Sequence, residues 1–403
     1  MSTSSRFLLS NGVVLHSSDA PPITTFLESH PGAYTTTRTH NNASCLLFWE
    51  RHVKRLAESV RILSNSTPQL LFKQNNSSSM IMHSLPQFTM GPFRALVNDS
   101  MSKVLPIAMK ERRSDGEELS VTTLVSGNIE RLSGIGNVDD DDDDDGRVCQ
   151  ALDVYVYVGS YVVPAFGVRG NGARLAVVGR GRDVANAKYS DWVRLRKPLE
   201  KLRPFAVTEL LLSNDGDKIL EGCVTNFFVV CRKDIDEAKG DYLNDRNDTC
   251  AFEVQTAPIG DGVLPGIIRQ IVIEVCFSKG ISFREVAPSW SKHETWEEAF
   301  ITNSLRLLQH VETILVPSSW ESIISKTQEE ISWEEKQFKQ DGPGMITTLI
   351  QKEIMERAIL EGFPLCNAGD EEATPKNKQV KSVGDENRLV GEEDEPTEHE
   401  KGR

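Results

Sequence analysis

Asp215-Gly216-Asp217-Lys218-Ile219-Leu220-Glu221-Gly222-Cys223-Val224-Thr225-Asn226-Phe227-Phe228 is the stretch on which the reading of this chain turns. Asn214-Asp215-Gly216 has the composition of a tight turn. The apolar and β-branched runs on either side predict a strand pair, Thr208 to Leu212 with Thr225 to Cys231. Glu221 and Asn226 interrupt otherwise apolar surroundings. Taken alone, Glu221 reads equally well as a strand-end carboxylate in water or as a placed functional group.

Downstream, Glu253 to Ala257 predicts a strand. Leu264-Pro265-Gly266 predicts a helix start, with the helix running to about Phe277. Ala299 to Thr302 predicts another strand and Met345 to Leu360 a long helix. Upstream, Arg174 to Val178 predicts a strand and Trp192 to Leu202 a short helix despite Pro198. Pro164 to Gly172 reads as a linker, which sets the expected boundary between residues 1–167 and residues 168–366. In the first part, Phe7-Leu8-Leu9 predicts a strand and Asn11-Gly12 a turn, leaving little room for a removable leader. His52 to Leu63 places Val53, Leu56, Ala57, Val60 and Leu63 on one face of a helix. Pro92 to Arg112 predicts a second helix, and Glu118 to Val125 and Asp153 to Val163 two strands. Ser126 to Gly146 contains seven consecutive aspartates, Asp139 to Asp145, and predicts a solvated insertion at about 126–147. Residues 367–403 predict a disordered charged tail.

The chain has 403 residues, enough for two domains of ordinary size. The aspartate run and the tail account for most of the net charge of −14, so the body is nearly neutral. No basic stripe suggests a nucleic-acid partner, and no apolar run reaches the ~18 residues of a membrane helix. The seven cysteines lack CxxC spacing and read as reduced thiols, which predicts a reducing, cytoplasmic setting and no metal site. Gly179-Arg180-Gly181 follows a strand, but Val184 stands where the third glycine of a dinucleotide fingerprint belongs.

Four blocks are more informative together than singly. They are Gly32-Ala33-Tyr34-Thr35-Thr36-Thr37-Arg38 with His52-Val53-Lys54-Arg55-Leu56; Lys188 in Ala187-Lys188-Tyr189-Ser190-Asp191; the opening stretch; and Leu264-Pro265-Gly266-Ile267-Ile268-Arg269 with Phe300-Ile301-Thr302-Asn303-Ser304. From Gly32 to about Pro317 their order and spacing resemble the class IV aminotransferases, the fold-type IV pyridoxal phosphate enzymes. That family includes branched-chain and D-amino-acid aminotransferases and aminodeoxychorismate lyase. The resemblance implies an α+β chain with a small first domain, a larger barrel-like second domain, and pyridoxal 5'-phosphate between them. It further implies a homodimer acting on an amino acid and a 2-oxo acid.

The same resemblance assigns roles. Lys188 matches the catalytic lysine that forms the Schiff base and carries the substrate α-proton. Lys197 and Lys201 are its rivals, on a helix expected to face solvent. Glu221 matches the carboxylate facing the pyridine nitrogen, which keeps that nitrogen protonated. Arg55 matches the phosphate-gripping arginine. Gly266, Ile267 and Ile268 match the helix start that cradles the phosphate, and Thr302 and Asn303 a second phosphate turn. Asn226 joins the cofactor set, and Tyr34, Thr36 and Arg38 the substrate set.

Several positions depart from the family pattern. Trp192 and Val193 stand where branched-chain members carry Asn-Tyr. Ile268 replaces a frequent hydroxyl residue. Asn303-Ser304-Leu305 leans towards the lyase, yet Arg306 to His310 departs from the lyase's Gly- or Pro-rich continuation. Three functions follow: amino transfer; lyase cleavage of aminodeoxychorismate to 4-aminobenzoate and pyruvate; and a scaffold that has lost catalysis.

Overall fold

In Asn226-Phe227-Phe228-Val229-Val230-Cys231 every second side chain points the same way, as a strand requires. In the computed structural model, Phe227, Val229 and Cys231 pack inside a β-barrel, while Phe228 and Val230 pack outward against helices. The structure describes residues 6–10, 12–16, 19–73, 88–112, 116–135, 148–168, 170–233, 251–321, 323–338 and 342–365. The aspartate run and the charged tail lie outside them.

The chain opens with β1 (Arg6–Ser10), β2 (Val13–Leu15), α1 (Ile23–Ser29), β3 (Ala33–His40) and β4 (Cys45–Leu46). Then come α2 (Trp49–Ser66), α3 (Met90–Lys110), β5 (Glu118–Gly127), α4 (Ile129–Ile135) and β6 (Leu152–Tyr161). The five apolar residues expected on one face of α2 are all fully buried. The insertion differs from the expected loop at its start. Ser126 and Gly127 complete β5, and α4 follows with Leu132 buried, because the first residues of the insertion still carry apolar side chains for the core.

The second half runs β7 (Ala173–Gly179), α5 (Trp192–Leu195), α6 (Lys197–Glu200), β8 (Glu209–Ser213) and β9 (Ile219–Gly222). It continues with β10 (Asn226–Arg232), β11 (Phe252–Thr256), α7 (Ile267–Lys279), β12 (Ser282–Glu285) and β13 (Trp296–Asn303). It ends with β14 (Leu307–Pro317), β15 (Trp333–Gln337), α8 (Met345–Leu360) and β16 (Phe363–Pro364). The expected helix from Trp192 to Leu202 is two short pieces. Pro198 has no N–H to continue the first, and it sits in the first turn of the second, where none is needed.

Seven strands form one sheet in the order β16-β4-β3-β5-β6-β1-β2. The others form a nine-stranded sheet in which β9, β10, β13, β14, β7 and β8 close on themselves. This is the closed six-strand barrel of an α+β chain. Here too the structure corrects the sequence reading. The partner of β8 across the Asn214–Gly216 turn is β9, with Leu212 opposite Glu221. β10 lies between β13 and β11 and meets β9 only at Asn226 opposite Glu221. Gly222 and the bend at 223–225 split what reads as one long return strand.

The barrel interior is filled by Leu175, Val177, Leu211, Phe227, Val229 and Ile301. Outside it, Phe228 stacks on Phe300, its cross-strand neighbour, with ring centres 4.8 Å apart. Ile346, Ile350, Ile354 and Ala358, spaced by four, press α8 onto the same layer. The five described cysteines are free thiols, four of them buried. In Cys223, Cys231 and Cys276 burial pushes the thiol up, which leaves them unreactive.

Candidate active site

Lys188 is held by its backbone before its side chain does anything. Its N–H donates to Ser59 Oγ on α2 at 3.1 Å, and its carbonyl accepts from Tyr34 N on β3 at 2.9 Å. Ser190 N donates to Gly32 O at 2.9 Å and Ser190 Oγ to His30 O at 2.7 Å. The loop is thereby sewn to the first sheet. The Lys188 ammonium lies 4.6 Å from the centre of the Tyr34 ring. Burial lowers the Lys188 pKa; Tyr34 opposes the shift, and Arg55 and Arg182 add to it. For Tyr34, burial alone would raise the pKa, but Lys188, Arg196 and Arg182 outweigh it and the net shift is downward.

Lys188 opens on a cavity of about 360 Å³ between the first sheet, the barrel and the N-terminus of α7. It brings together Tyr34, Thr36, Arg55, Lys188, Glu221, Asn226, Gly266, Ile267, Ile268, Thr302 and Asn303. Arg38 does not line it. That side chain is 2% exposed, and its Nε donates to Leu305 O at 2.7 Å. It is a strut between β3 and the turn after β13. The rival lysines stand apart from the cavity: Lys197 pairs with Glu28 at 2.7 Å, and Lys201 is exposed.

Glu221 is the cavity's carboxylate. Its Oε1 accepts from Arg182 Nε at 2.9 Å, and both side chains are nearly fully buried. Its Oε2 accepts from Leu264 N at 3.0 Å and Asn226 Nδ2 at 3.4 Å. Arg182 also donates to Ala185 O at 2.8 Å, so one guanidinium ties the Lys188 loop to Glu221. Sequence reasoning passed over Arg182 because its neighbourhood was tested only for a glycine fingerprint. The available signal was a cation six residues before the candidate lysine. Trp192 was also missed as a lining residue. Its Nε1 donates to Cys223 O at 2.7 Å, and the Arg182 guanidinium lies 5.8 Å from its ring centre.

The same cavity is rich in unused donors. Arg55 donates from Nη2 to Thr35 Oγ1 at 2.8 Å, while its Nε is buried without a partner among the described residues. Thr302 Oγ1 and Thr225 Oγ1 are buried and unpartnered in the same way. The first turn of α7 adds the amides of Ile267 and Ile268, which have no preceding turn to bond. The approach to these amides is open because residue 266 is glycine; a Cβ there would lie 2.0 Å from Asn226 Oδ1. Burying so many donors without acceptors costs free energy unless an anion completes them. A phosphate fits this donor set: a guanidinium, helix N-terminal amides and hydroxyls. Burial pushes Arg55 down to about 10, which leaves it charged at neutral pH. Asn303 is differently engaged, since its Oδ1 accepts from the backbone N–H groups of Leu305 and Arg306 at 3.0 and 2.8 Å.

Residues 165–314 match the family model described as amino-transferase class IV. The match spans less than half of the chain. No curated protein matches the sequence. Among solved structures, the chain is similar to the branched-chain aminotransferase of Thermoproteus uzoniensis with norvaline, at 17% identity and a TM-score of 0.53. That match covers 89% of this chain and 96% of the other. A hypothetical aminotransferase from Mycobacterium tuberculosis in its PLP-bound form shares 15% identity with a TM-score of 0.53, covering 88% and 99%. The branched-chain amino acid aminotransferase of Escherichia coli shares 16% with a TM-score of 0.51, covering 86% and 92%. The class IV aminotransferase fold therefore extends across the first sheet as well as the matched segment.

Proposed function

We propose that this class IV chain is a pyridoxal phosphate-dependent aminotransferase that moves an amino group between an amino acid and a 2-oxo acid. The observation that carries the reading is one cavity lined by a half-buried lysine, a buried carboxylate and unpartnered anion donors. When bound, the cofactor supplies an electron sink for the carbon that loses its proton.

The chain's own residues supply the rest. Arg55, the Ile267 and Ile268 amides and the Thr302 hydroxyl bind the phosphate end. Glu221 faces the ring nitrogen with Oε1, which retains a lone pair after its bond from Arg182, while Leu264 N and Asn226 Nδ2 occupy Oε2. Lys188 Nζ takes and returns the substrate α-proton, and the burial that lowers its pKa favours the neutral form that can accept it. Tyr34 orients that amine. Leu27, Trp192 and Val193 form an apolar wall that excludes water. On this reading, residues 1–167 and 168–366 act as the small and large domains.

The test begins with the purified protein's absorbance above the aromatic bands. An amino donor alone should change it, and a 2-oxo acid should restore it. Lys188→Ala should abolish the lysine-linked cofactor signal entirely. A borohydride-reducible adduct persisting in that variant, at Lys197 or Lys201, would overturn the assignment. Repeated turnover of aminodeoxychorismate to pyruvate without an acceptor would replace the transferase by the lyase.

A further inference from the structure

Arg306 lines the cavity from the turn between β13 and β14. The cavity's cationic side chains are Arg55, Arg182, Lys188, Arg196 and Arg306, against one carboxylate, Glu221. Most already have an assignment. Arg182 pairs with Glu221 and Arg196 with Glu200, at 2.9 and 3.0 Å. Arg55 belongs to the phosphate end and Lys188 to the chemistry. Among the described residues the Arg306 side chain hydrogen-bonds a neutral partner, Gln309 Oε1 at 2.9 Å from its Nη1, and buried Glu209 lies within electrostatic reach of it.

The turn that carries Arg306 is rigid and self-satisfied. Asn303 Oδ1 takes the N–H groups of Leu305 and Arg306, and buried Arg38 holds the carbonyl of Leu305. Those two amides are therefore unavailable to an incoming anion, and the Arg306 side chain is the charged donor that this turn presents to one. A half-buried guanidinium on a fixed turn presents a planar fork, which matches the two oxygens of a carboxylate. Its position is also where the sequence leaves the Gly- or Pro-rich continuation of the lyase pattern.

We infer that Arg306 receives a carboxylate of the substrate and so separates amino acids and oxo acids from simple amines. The inference rests on the aminotransferase reading and deepens it. The carboxylate is either the one beside the reacting carbon or one on the substrate side chain. Both present the same planar anion, and the experiment tells them apart.

The cofactor-loaded protein is titrated by calorimetry with butyrate, glutarate and butyramide: one acid group, two, and a neutral analogue of the first. The wild type should bind the acids and not the amide. Arg306→Gln should weaken acid binding by about 10- to 100-fold, the range for a lost charged hydrogen bond. Arg306→Lys should recover part of it, since it keeps the charge without the fork. An equal loss for both acids assigns the carboxylate beside the reacting carbon. A loss confined to the advantage of glutarate over butyrate assigns the side-chain carboxylate. Unchanged acid binding in Arg306→Gln overturns the inference, as does a wild type that binds neither acid or binds the amide equally. Melting temperature and bound-cofactor absorbance of each variant are recorded alongside, and if Arg306→Gln does not fold, the wild-type-to-lysine difference decides. A wild type without cofactor absorbance would instead defeat the functional reading itself.

Discussion

Arg51 and Arg55 stand one turn apart on α2 in opposite surroundings. Arg51 is saturated: Nη1 and Nη2 donate to Glu274 at 2.7 and 3.0 Å, and Nε and Nη2 to Glu361 at 2.6 and 2.8 Å. The Glu361 and Glu274 carboxylates push its pKa up. Arg55 has one neutral hydroxyl, a buried Nε without a partner, and a pKa pulled down by burial. The difference separates a tie from a socket. A guanidinium whose donors are filled by the protein joins elements, here α2 to α7 and to the end of α8. A buried one left unfilled marks where something else must sit.

The largest expected effect tests a third case, Arg182, which is saturated yet inside the cavity. Glu221→Gln keeps the shape of the side chain and removes its charge. With cofactor still bound, turnover should fall by ~10²-fold, equivalent to ~2.7 kcal/mol of barrier. Turnover at the wild-type rate would class the Arg182–Glu221 pair with Arg51, as a tie. Next comes the direct contrast. Arg55→Ala should weaken cofactor binding by ~10- to 100-fold and barely move the melting temperature of the cofactor-free protein. Arg51→Ala should do the reverse, costing ~1–2 kcal/mol of stability, because its ion pairs are partly solvent-screened. Fluorescence titration and thermal melts of both variants decide, and a swapped pattern would break the comparison.

The smallest effect concerns the support of Arg55. Thr35 Oγ1 accepts from Arg55 and shares a hydrogen bond of 2.6 Å with His52 Nδ1. Burial, with Arg55 and Lys188 adding to it, holds the His52 pKa well below the ordinary 6.5. An unfolded histidine takes a proton below about pH 6.5 and the folded one does not. Stability from this group is therefore complete above pH 6.5 and declines as the pH falls, by at most ~1.4 kcal/mol per unit. Urea melts at pH 7 and pH 5 should show a shallower decline for His52→Gln. Equal slopes in variant and wild type would mean that His52 protonates freely in the folded state.

Sequence pattern disclosed what repeats or punctuates. The i, i+3, i+4 spacing of α2, the Pro-Gly opening of α7 and the apolar, β-branched run of β10 are local signals, and the structure contains all three elements. It did not disclose β9, which is four residues long and ends at Gly222, nor that β10 pairs mainly with β13. Those pairings depend on barrel closure, a property of the whole sheet. The cavity residues were legible through family spacing, while Arg38 was not. Its place in a family-matching block hides that its guanidinium turns away to Leu305. The pairing of Arg182 was hidden for a related reason: its partner Glu221 is distant in sequence, and no local period links them.

The barrel closes between β9 and β10 through a single register pair, Asn226 opposite Glu221. A ring of strands held at one place by so little backbone pairing should breathe there first, and amide hydrogen exchange should be fastest at that seam. Both residues also face the cavity. A ligand that rests against them spans the seam and closes it from inside like a rivet. Occupancy should then slow exchange in β9 and β10 together and raise resistance to unfolding in proportion to ligand concentration. The thinnest joint of the barrel thereby couples the filling of the pocket to the integrity of the wall around it.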